Sequence, residues 1–240
     1  MRACGTEGYQ ADDLVKVVIE KNAIFRDQLS PSVALGLDSL RTMIGIGAMP
    51  GLSTLRVLDF GGGGGYHHSI ARMVLGAERA VRWNVVETTT LAKAGRDKLS
   101  GNGLKFFDSV QDAAADLGHV DLVFTSSALQ YTPDPMSFLQ KLLAVNADHL
   151  FITRTPLNDE DGQVVGVQTS WLASNGPGPM PSGFNNYKIK YPITFASRRN
   201  LVELIEQKYS IRFSINEDRF SPVVEGRSFN MYGYFCDLKK

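Results

Sequence analysis

The sequence predicts an α/β protein with a doubly wound sheet of seven strands, mostly parallel, in which the last strand pair is antiparallel. Between residues 55 and 153, short apolar runs alternate with amphipathic stretches, as in strand–helix–strand units. The apolar runs are continuous, as expected for parallel strands that helices cover on both faces. Near the carboxyl terminus, "SIRFSINE" alternates and "FNMYGYFCDL" is aromatic, which indicates a terminal antiparallel pair.

The predicted elements follow one another with short connections. The five strands are "LRVLDF", "VRWNVVE", "LKFFD", "VDLVFTS" and "DHLFITR". The helices between them are "YHHSIARMVLG", "TTTLAKAGRDKLSG", "SVQDAAADLG" and "DPMSFLQKLLAVN". Glycines stop the first two helices, and threonines are available as caps for the second. Right-handed crossovers between parallel strands then give a Rossmann-like sheet.

Two further segments accompany this alternation. Residues 1–50 are predicted to be an N-terminal helical extension, with Pro31 well placed at a helix start. Residues 51–240 are predicted to be the main domain, with an insertion at about 155–195. The stretch "NGPGPMPSGFNN" within the insertion is rich in glycine and proline, which predicts a loop. "SRRNLVELIEQKY" is the helix that precedes the terminal strands.

Composition narrows the class of protein. The chain has 25 basic and 25 acidic residues, which argues against nucleic acid as an obligatory partner. Its two cysteines, Cys4 and Cys236, are typical of reduced thiols. The first twenty residues lack an apolar signal core, and no apolar run approaches the length of a membrane span. These features predict a cytoplasmic protein without a membrane partner, and they leave a homo-oligomer open.

The most informative stretch is "VLDFGGGGGYHH", in which five glycines separate a predicted strand from a predicted helix. Ligands bind at the carboxyl ends of strands in open α/β sheets, and glycine lets the backbone approach them closely. The stretch lacks the Lys-Ser/Thr of a nucleoside-triphosphate loop, and the dinucleotide pattern GxGxxG fails from each possible start. The pattern that fits is D-x-G-x-G-x-G, formed by Asp59, Gly61, Gly63 and Gly65.

Residues 55–153 resemble the class I methyltransferases that use S-adenosylmethionine. The resemblance rests on the glycine motif, on Glu87 and Asp108 at the ends of the next two strands, and on "DLVFTSSALQYTPDP". The whole chain is also similar to a bacterial group of methyltransferases linked to surface-polysaccharide or other glycan genes, through "EGYQADDLVKVV", "WNVVET" and "FITRTPL". The resemblance implies S-adenosylmethionine as cofactor, S-adenosylhomocysteine as product, and a small-molecule or saccharide acceptor.

The resemblance also implies roles for the residues of the motif. Gly61, Gly63 and Gly65 would shape the floor beneath the methionine and the ribose. Asp59 would hold the loop and face the methionine ammonium group. Glu87 would accept hydrogen bonds from the two ribose hydroxyls, a role that its spacing also fits. The alternative is a purely structural role, in which the glycines form a tight strand–helix turn, Asp59 is a capping residue and Glu87 is a solvated strand end.

Four more residues would complete the cofactor site. Phe107 would flank the adenine, and Asp108 would accept from its amino group. Ser126 and Ser127 lie where backbone carbonyls would meet the methionine ammonium. Ordinary packing or helix capping is the alternative for Phe107 and Asp108.

Three residues are candidates for catalysis. His67 and His68 open the helix after the glycines, and one of them can serve as a general base because histidine titrates near neutrality. Adjacent histidines on a helix point about 100° apart, and no third ligand lies at a metal spacing, so no metal site is predicted. Tyr131 lies where the acceptor would enter, although a core role is nearly as well supported. Arg154 can bind an anionic acceptor.

Two other functions stay open at this point. One is an NAD-dependent sugar-modifying enzyme, which needs the GxGxxG that this chain lacks. The other is a non-catalytic nucleoside-binding or assembly module on the same fold. The aromatic residues of the insertion predict a lid that covers the acceptor rather than the cofactor. They are Trp171, Phe184, Tyr187 and Tyr191.

Overall fold

Strands and helices alternate through the middle of the chain in a computed structural model that describes residues 11–76, 78–217 and 221–240. The helices are α1 (Asp12–Gln28), α2 (Ser39–Gly47), α3 (Tyr66–Leu75), α4 (Thr89–Lys98), α5 (Val110–Leu117), α6 (Pro135–Leu143) and α7 (Arg198–Glu206). The strands are β1 (Thr54–Phe60), β2 (Ala80–Val86), β3 (Leu104–Phe107), β4 (Leu122–Ser126), β5 (His149–Asn158), β6 (Val164–Trp171), β7 (Lys188–Ser197), β8 (Tyr209–Asn216), β9 (Val223–Val224), β10 (Arg227–Ser228) and β11 (Asn230–Leu238).

The main path of the sheet runs in the order β3-β2-β1-β4-β5-β11-β8. The first five strands are parallel, and β11 is antiparallel to both β5 and β8. This confirms the predicted doubly wound sheet with a late antiparallel pair. The chain order reverses between β1 and β4, so the carboxyl ends of these two strands frame the crevice where such sheets bind ligands.

The stretch "NGPGPMPSGFNN" at 175–186 is a loop as predicted, but the rest of the insertion is not. Strands β6 and β7 form an antiparallel hairpin in register from Val164↔Phe195 to Trp171↔Lys188. The end of β7 then pairs in parallel with the end of β5, which attaches the hairpin to the main sheet. Residues of the strand β6 are alternately half-buried and exposed, which is the period-two pattern of a strand that packs on one face.

Several predicted helix ends match the structure. Asp134 caps α6 by accepting from the backbone N–H groups of Met136 and Ser137, with Pro135 in the first turn. Ser109 caps α5 in the same way. The N-terminal region differs, because residues 31–38 form turns and α2 begins at Ser39 rather than at Pro31.

Helices cover both faces of the sheet. On one face, α1 contributes Leu14, Val17 and Val18 to the apolar cluster that contains Trp83 and Phe106. The other face packs against α5, α6 and α7 through a second apolar cluster. The free thiol of Cys236 is buried in β11, and Cys4 lies outside the described residues. In the described part of the chain, no helix has the length and apolar character of a membrane span.

Candidate active site

The glycines make a tight turn between β1 and α3. Gly61, Gly63 and Gly65 all have positive φ angles, of 71°, 59° and 85°. The Gly61 N–H donates to the carbonyl of Val86 at 2.9 Å, which ties the turn to the end of β2. A Cβ atom at Gly61 would lie 2.2 Å from the Cβ of Ala128. Both the backbone conformation and the space therefore require glycine at this position.

Asp59 supports this turn from below. Its side chain is fully buried, and its Oδ2 accepts from the indole N–H of Trp83 at 2.9 Å. A Cβ at Gly62 would lie 2.4 Å from Asp59 Oδ2, so the turn lies directly on the carboxyl group. Burial raises the pKa of Asp59 to about 7, and the nearby charge of Glu87 adds to the shift. Asp59 thus lies enclosed beneath the turn, and it does not line the cleft described below, where it was expected to face an ammonium group.

Glu87 stands at the end of β2, beside the turn. Its Oε1 accepts from the Gly63 N–H at 3.0 Å, and its Oε2 accepts from the Thr88 N–H at 3.1 Å. Burial raises the pKa of Glu87, and the two backbone hydrogen bonds act in the opposite direction. Each carboxylate oxygen has lone pairs left for a ligand. The side chain is half-buried and borders the cleft.

A cleft of about 540 Å³ opens at the carboxyl ends of β1 to β4. This volume suits a ligand of nucleoside size or larger. The cleft lies at the reversal of strand order, where the fold predicts a binding site. Of the predicted site residues, the cleft is lined by Gly61, Glu87, Asp108, Ser127 and Tyr131.

Phe107 and Ser126 were predicted in the site but do not line this cleft. Phe107 packs against the apolar cluster beneath α5 and α6. In each of the pairs Phe107/Asp108 and Ser126/Ser127, one residue lines the cleft. In both pairs it is the residue just after the strand. Asp108 is exposed there and available to a ligand.

Ser127 has an unusual backbone for a residue other than glycine, with a φ of 58°. Its N–H donates to the carbonyl of Thr153 at 3.1 Å, and its Oγ accepts from the amide of Gln130 at 2.9 Å. A left-handed conformation at such a residue persists only where its surroundings hold it. Ser127 therefore marks a fixed wall of the cleft.

Tyr131 connects the cleft to the insertion. Its hydroxyl donates to Gln168 Oε1 at 2.9 Å, and the amide of Gln168 donates to the hydroxyl of Tyr191 at 3.1 Å. The two tyrosine rings meet edge-on, with centroids 5.3 Å apart. Burial raises the pKa of Tyr131, so its phenol is protonated at neutral pH.

The two histidines turn away from the cleft. Nδ1 of His67 is hydrogen-bonded to the hydroxyl of Thr42 in α2 at 2.7 Å. Burial, followed by the charges of Arg154 and Arg41, lowers the pKa of His67 to about 3. His68 is buried and donates from Nε2 to the carbonyl of Asn102 at 3.2 Å.

Burial also lowers the pKa of His68 to about 4, while its backbone hydrogen bond acts in the opposite direction. The geometry contradicts the prediction of His68 as a general base, because the side chain packs inside the fold and its Nε2 is already bonded. His67 does not line the cleft either, and a histidine with so low a pKa is a weak proton acceptor.

A polar network at the end of β5 was not predicted. Arg154 has a φ of 54°, and its N–H donates to Glu217 Oε1 at 2.6 Å. The same oxygen accepts from the hydroxyl of Thr153 at 2.7 Å. Arg41 of α2 forms an ion pair with Glu217 at 2.5 Å. The residues of this network are far apart in sequence and carry no shared motif, so only the fold brings them together.

The aromatic residues of the insertion are mostly packed rather than free to form a lid. Tyr191 is 5% exposed, Phe184 packs against the main apolar cluster, and the Tyr187 hydroxyl donates to Asp13 at 2.9 Å. Trp171 is the exception, at 48% exposed. The insertion also contacts α1, which itself lies against the glycine turn.

Several solved structures share the fold of this chain. An S-adenosylmethionine-dependent methyltransferase from Clostridium acetobutylicum ATCC 824 matches with a TM-score of 0.53 and 10% identity, over 91% of this chain and 97% of that chain. A complex between the Haloferax volcanii Trm112 methyltransferase activator and a methyltransferase matches with a TM-score of 0.53 and 12% identity, over 97% and 96%. The [4+2]-cyclase SpnF matches with a TM-score of 0.53 and 12% identity, over 94% and 93%.

At sequence identities of 10–12%, these structural matches establish a shared fold and no more. Comparisons with protein-family models and with curated protein sequences find no match. The cyclase among the neighbours illustrates that one fold carries more than one chemistry. The chain has the mixed α/β, mostly parallel fold of S-adenosylmethionine-dependent methyltransferases.

Proposed function

We propose that the protein is an S-adenosylmethionine-dependent methyltransferase that acts on a small molecule or a glycan-type acceptor. The observation that supports this most is the position of Glu87. Its carboxylate closes the carboxyl end of β2, bonds to the glycine turn after β1, and borders the same cleft. A carboxylate at this point can accept from two vicinal ribose hydroxyls while the bare backbone of the turn lies against the rest of the ligand.

The other residues of the cleft fit the same cofactor. Asp108 is an exposed acid at the end of β3, in position to accept from an adenine amino group. Ser127 is fixed at the end of β4. When bound, S-adenosylmethionine supplies an electrophilic methyl group. The protein's part is to hold the acceptor atom in line with that group and to exclude water, because orientation provides much of the acceleration.

Tyr131 is proposed to orient the acceptor rather than to remove its proton. Its raised pKa keeps the phenol protonated at neutral pH, so the side chain presents a hydroxyl group rather than a basic phenolate to the acceptor. The hydrogen bonds through Gln168 to Tyr191 fix the ring in place. In this proposal the N-terminal helices of residues 1–50 and the insertion at about 155–195 form the acceptor side of the domain.

We expect S-adenosylhomocysteine to bind one per chain and NAD not to bind, as measured by calorimetry. Glu87→Ala should weaken this binding roughly ten- to hundred-fold, because a hydrogen-bonded carboxylate contributes about 1.5–3 kcal/mol. The matched control is Asp112→Ala, which removes an exposed carboxylate that does not line the cleft. Unchanged affinity in a folded Glu87→Ala protein would refute the ribose role. Failure of the wild type to bind S-adenosylhomocysteine would refute the cofactor.

A saccharide acceptor is supported by a second cavity of about 750 Å³ between α1 and the insertion. Trp171 offers an exposed aromatic face there, and Asn185 and Asp13 add polar groups of the kind that bind sugar hydroxyls. Mass spectrometry after incubation with labelled methyl donor and glycan precursors tests this class. It also tests the non-catalytic alternative, which predicts no labelled product.

With an acceptor so identified, Trp171→Ala should raise its KM about two- to tenfold, since an aromatic contact contributes about 0.5–1.5 kcal/mol. The affinity for S-adenosylhomocysteine should stay unchanged. The control is Val167→Ala, because Val167 is also exposed on β6 but does not line this cavity. Equal KM values in the two variants would rule out a role for the Trp171 face in binding the acceptor.

A further inference from the structure

Helix α1 carries a lysine and an asparagine that are both buried and incompletely bonded. Lys21 is 2% exposed, and its ammonium donates to the carbonyl of Ala173 at 2.6 Å. Within residues 11–76, 78–217 and 221–240, no carboxylate forms an ion pair with it. A buried ammonium without a counter-charge is unfavourable unless something else neutralises it.

Within the described part of the chain, Asn22 lacks a hydrogen-bond donor for its side-chain oxygen. It is 4% exposed, and its Nδ2 donates to the carbonyl of Val18 at 2.8 Å. Its Oδ1 is buried and has no hydrogen-bond partner among the described residues. Buried polar atoms are nearly always bonded, so an unpartnered carbonyl oxygen beside an unpaired ammonium calls for an explanation.

Asn22 lies against the glycine turn, and Lys21 is its neighbour on α1. A Cβ at Gly64 would lie 2.6 Å from Asn22 Cβ, and a Cβ at Gly63 would lie 3.8 Å from Val18. On the other side, a Cβ at Gly176 of the insertion would lie 3.6 Å from both Lys21 Cβ and Asn22 Nδ2. Asn22 is thus held between the turn and the insertion, and Lys21 lies beside it against the insertion.

The orientation of a nucleoside bound in the cleft indicates which part of the ligand would point toward Lys21 and Asn22. The strand β2 lies between β1 and β3. A nucleoside with its ribose at Glu87 and its base toward Asp108 therefore has its base pointing away from the glycine turn, and its other end points toward that turn. The remaining part of the ligand would then run along the turn past the lining of the cleft, toward the side where α1 contacts Gly63 and Gly64. In S-adenosylmethionine that part is an amino acid, which carries a carboxylate and an ammonium group.

We propose that Lys21 and Asn22 bind the amino-acid end of the cofactor, with Lys21 pairing to its carboxylate and Asn22 Oδ1 accepting from its ammonium group. This inference rests on the proposed function. It gives each unsatisfied buried atom a partner of the right kind. It also gives Asn22 the role that the sequence had assigned to Asp59, whose carboxyl group is enclosed beneath the turn.

The test compares two ligands that differ in the amino-acid end. S-adenosylhomocysteine has it, and 5′-methylthioadenosine lacks it. By calorimetry, Lys21→Met should weaken S-adenosylhomocysteine binding about ten- to hundred-fold and leave 5′-methylthioadenosine binding within about twofold of wild type. Methionine keeps the length of the side chain and removes the charge. Asn22→Leu should show the same selectivity between the two ligands, and it tests the inference if Lys21→Met does not fold.

The matched control is Lys16→Met, which removes an exposed lysine of the same helix and should change neither affinity. If the Lys21 and Asn22 variants lose both ligands equally, or neither, the pair has no contact with the amino-acid end and the inference is wrong, although the proposed function stands. If the wild type binds neither ligand, the proposed function and the inference fail together.

Discussion

Asp59→Asn is expected to raise the free energy of unfolding by up to about 4 kcal/mol at pH 8, because it removes a carboxylate that is buried without a counter-charge. Burial raises the pKa of Asp59 from 3.8 to about 7. Each pKa unit corresponds to about 1.4 kcal/mol. The native protein binds the proton more tightly than the unfolded chain, so this group stabilises the fold below about pH 4. That contribution is lost as the pH rises to about 7.

The amide of asparagine still accepts from Trp83, but its nitrogen takes the place of the unpartnered Oδ1, which makes the stated gain an upper limit. The measurement is denaturant unfolding of both proteins between pH 4 and 8. The lowered pKa values of His67 and His68 act in the opposite sense, since they make the fold more stable as the pH rises toward 6.5.

Both proteins share these histidines, so their contribution cancels when the two stabilities are subtracted. The difference should grow between about pH 4 and 7 and then level off. Asp112→Asn, an exposed carboxylate, should show no such growth. A stability difference that is independent of pH would mean that Asp59 titrates normally, and that it does not lie buried beneath the turn as an unpaired acid.

Local sequence was sufficient to predict the strand ends and the turn. Glu87 and Asp108 follow apolar runs, and the carboxyl ends of parallel strands meet at one edge, so their common cleft follows from the fold class. Phe107 and Ser126 were predicted in the same site, but they do not line the cleft. The amino-acid sequence alone does not show which of two adjacent residues at a strand end lines the cleft.

The sequence pattern did not predict which polar side chains are buried, nor which residues far apart in the chain are paired. His68 looked available because it stands beside the glycines, but a helix of this register turns it inward onto the carbonyl of Asn102. Lys21 carried no signal, since a lysine within an amphipathic helix ordinarily faces solvent. Glu217 and Arg41 pair across 176 residues, and only the fold brings them together.

Gly61→Ala is expected to weaken S-adenosylhomocysteine binding about a hundredfold. The new Cβ would stand 2.2 Å from Ala128 Cβ, whereas ordinary contact begins at 3.4 Å, so the turn or the β4 loop must move by about 1.2 Å (3.4 minus 2.2). Displacements of this size within a binding site can reduce function about a hundredfold. The φ of 71° adds strain of about 1–2 kcal/mol for any residue with a side chain.

A second substitution separates these two causes. Ala128→Gly removes the atom that the new methyl group meets, so the double variant should recover part of the lost affinity, while the strain from the positive φ stays. Gly47→Ala is the control, because its Cβ would meet nothing within 4 Å and its backbone is helical. Calorimetry with S-adenosylhomocysteine measures all four proteins against wild type. If the double variant binds no better than Gly61→Ala, the contact with Ala128 does not set the shape of the turn. If Gly61→Ala binds like wild type, the ligand does not rest on this turn, and the cofactor site must lie elsewhere in the cleft.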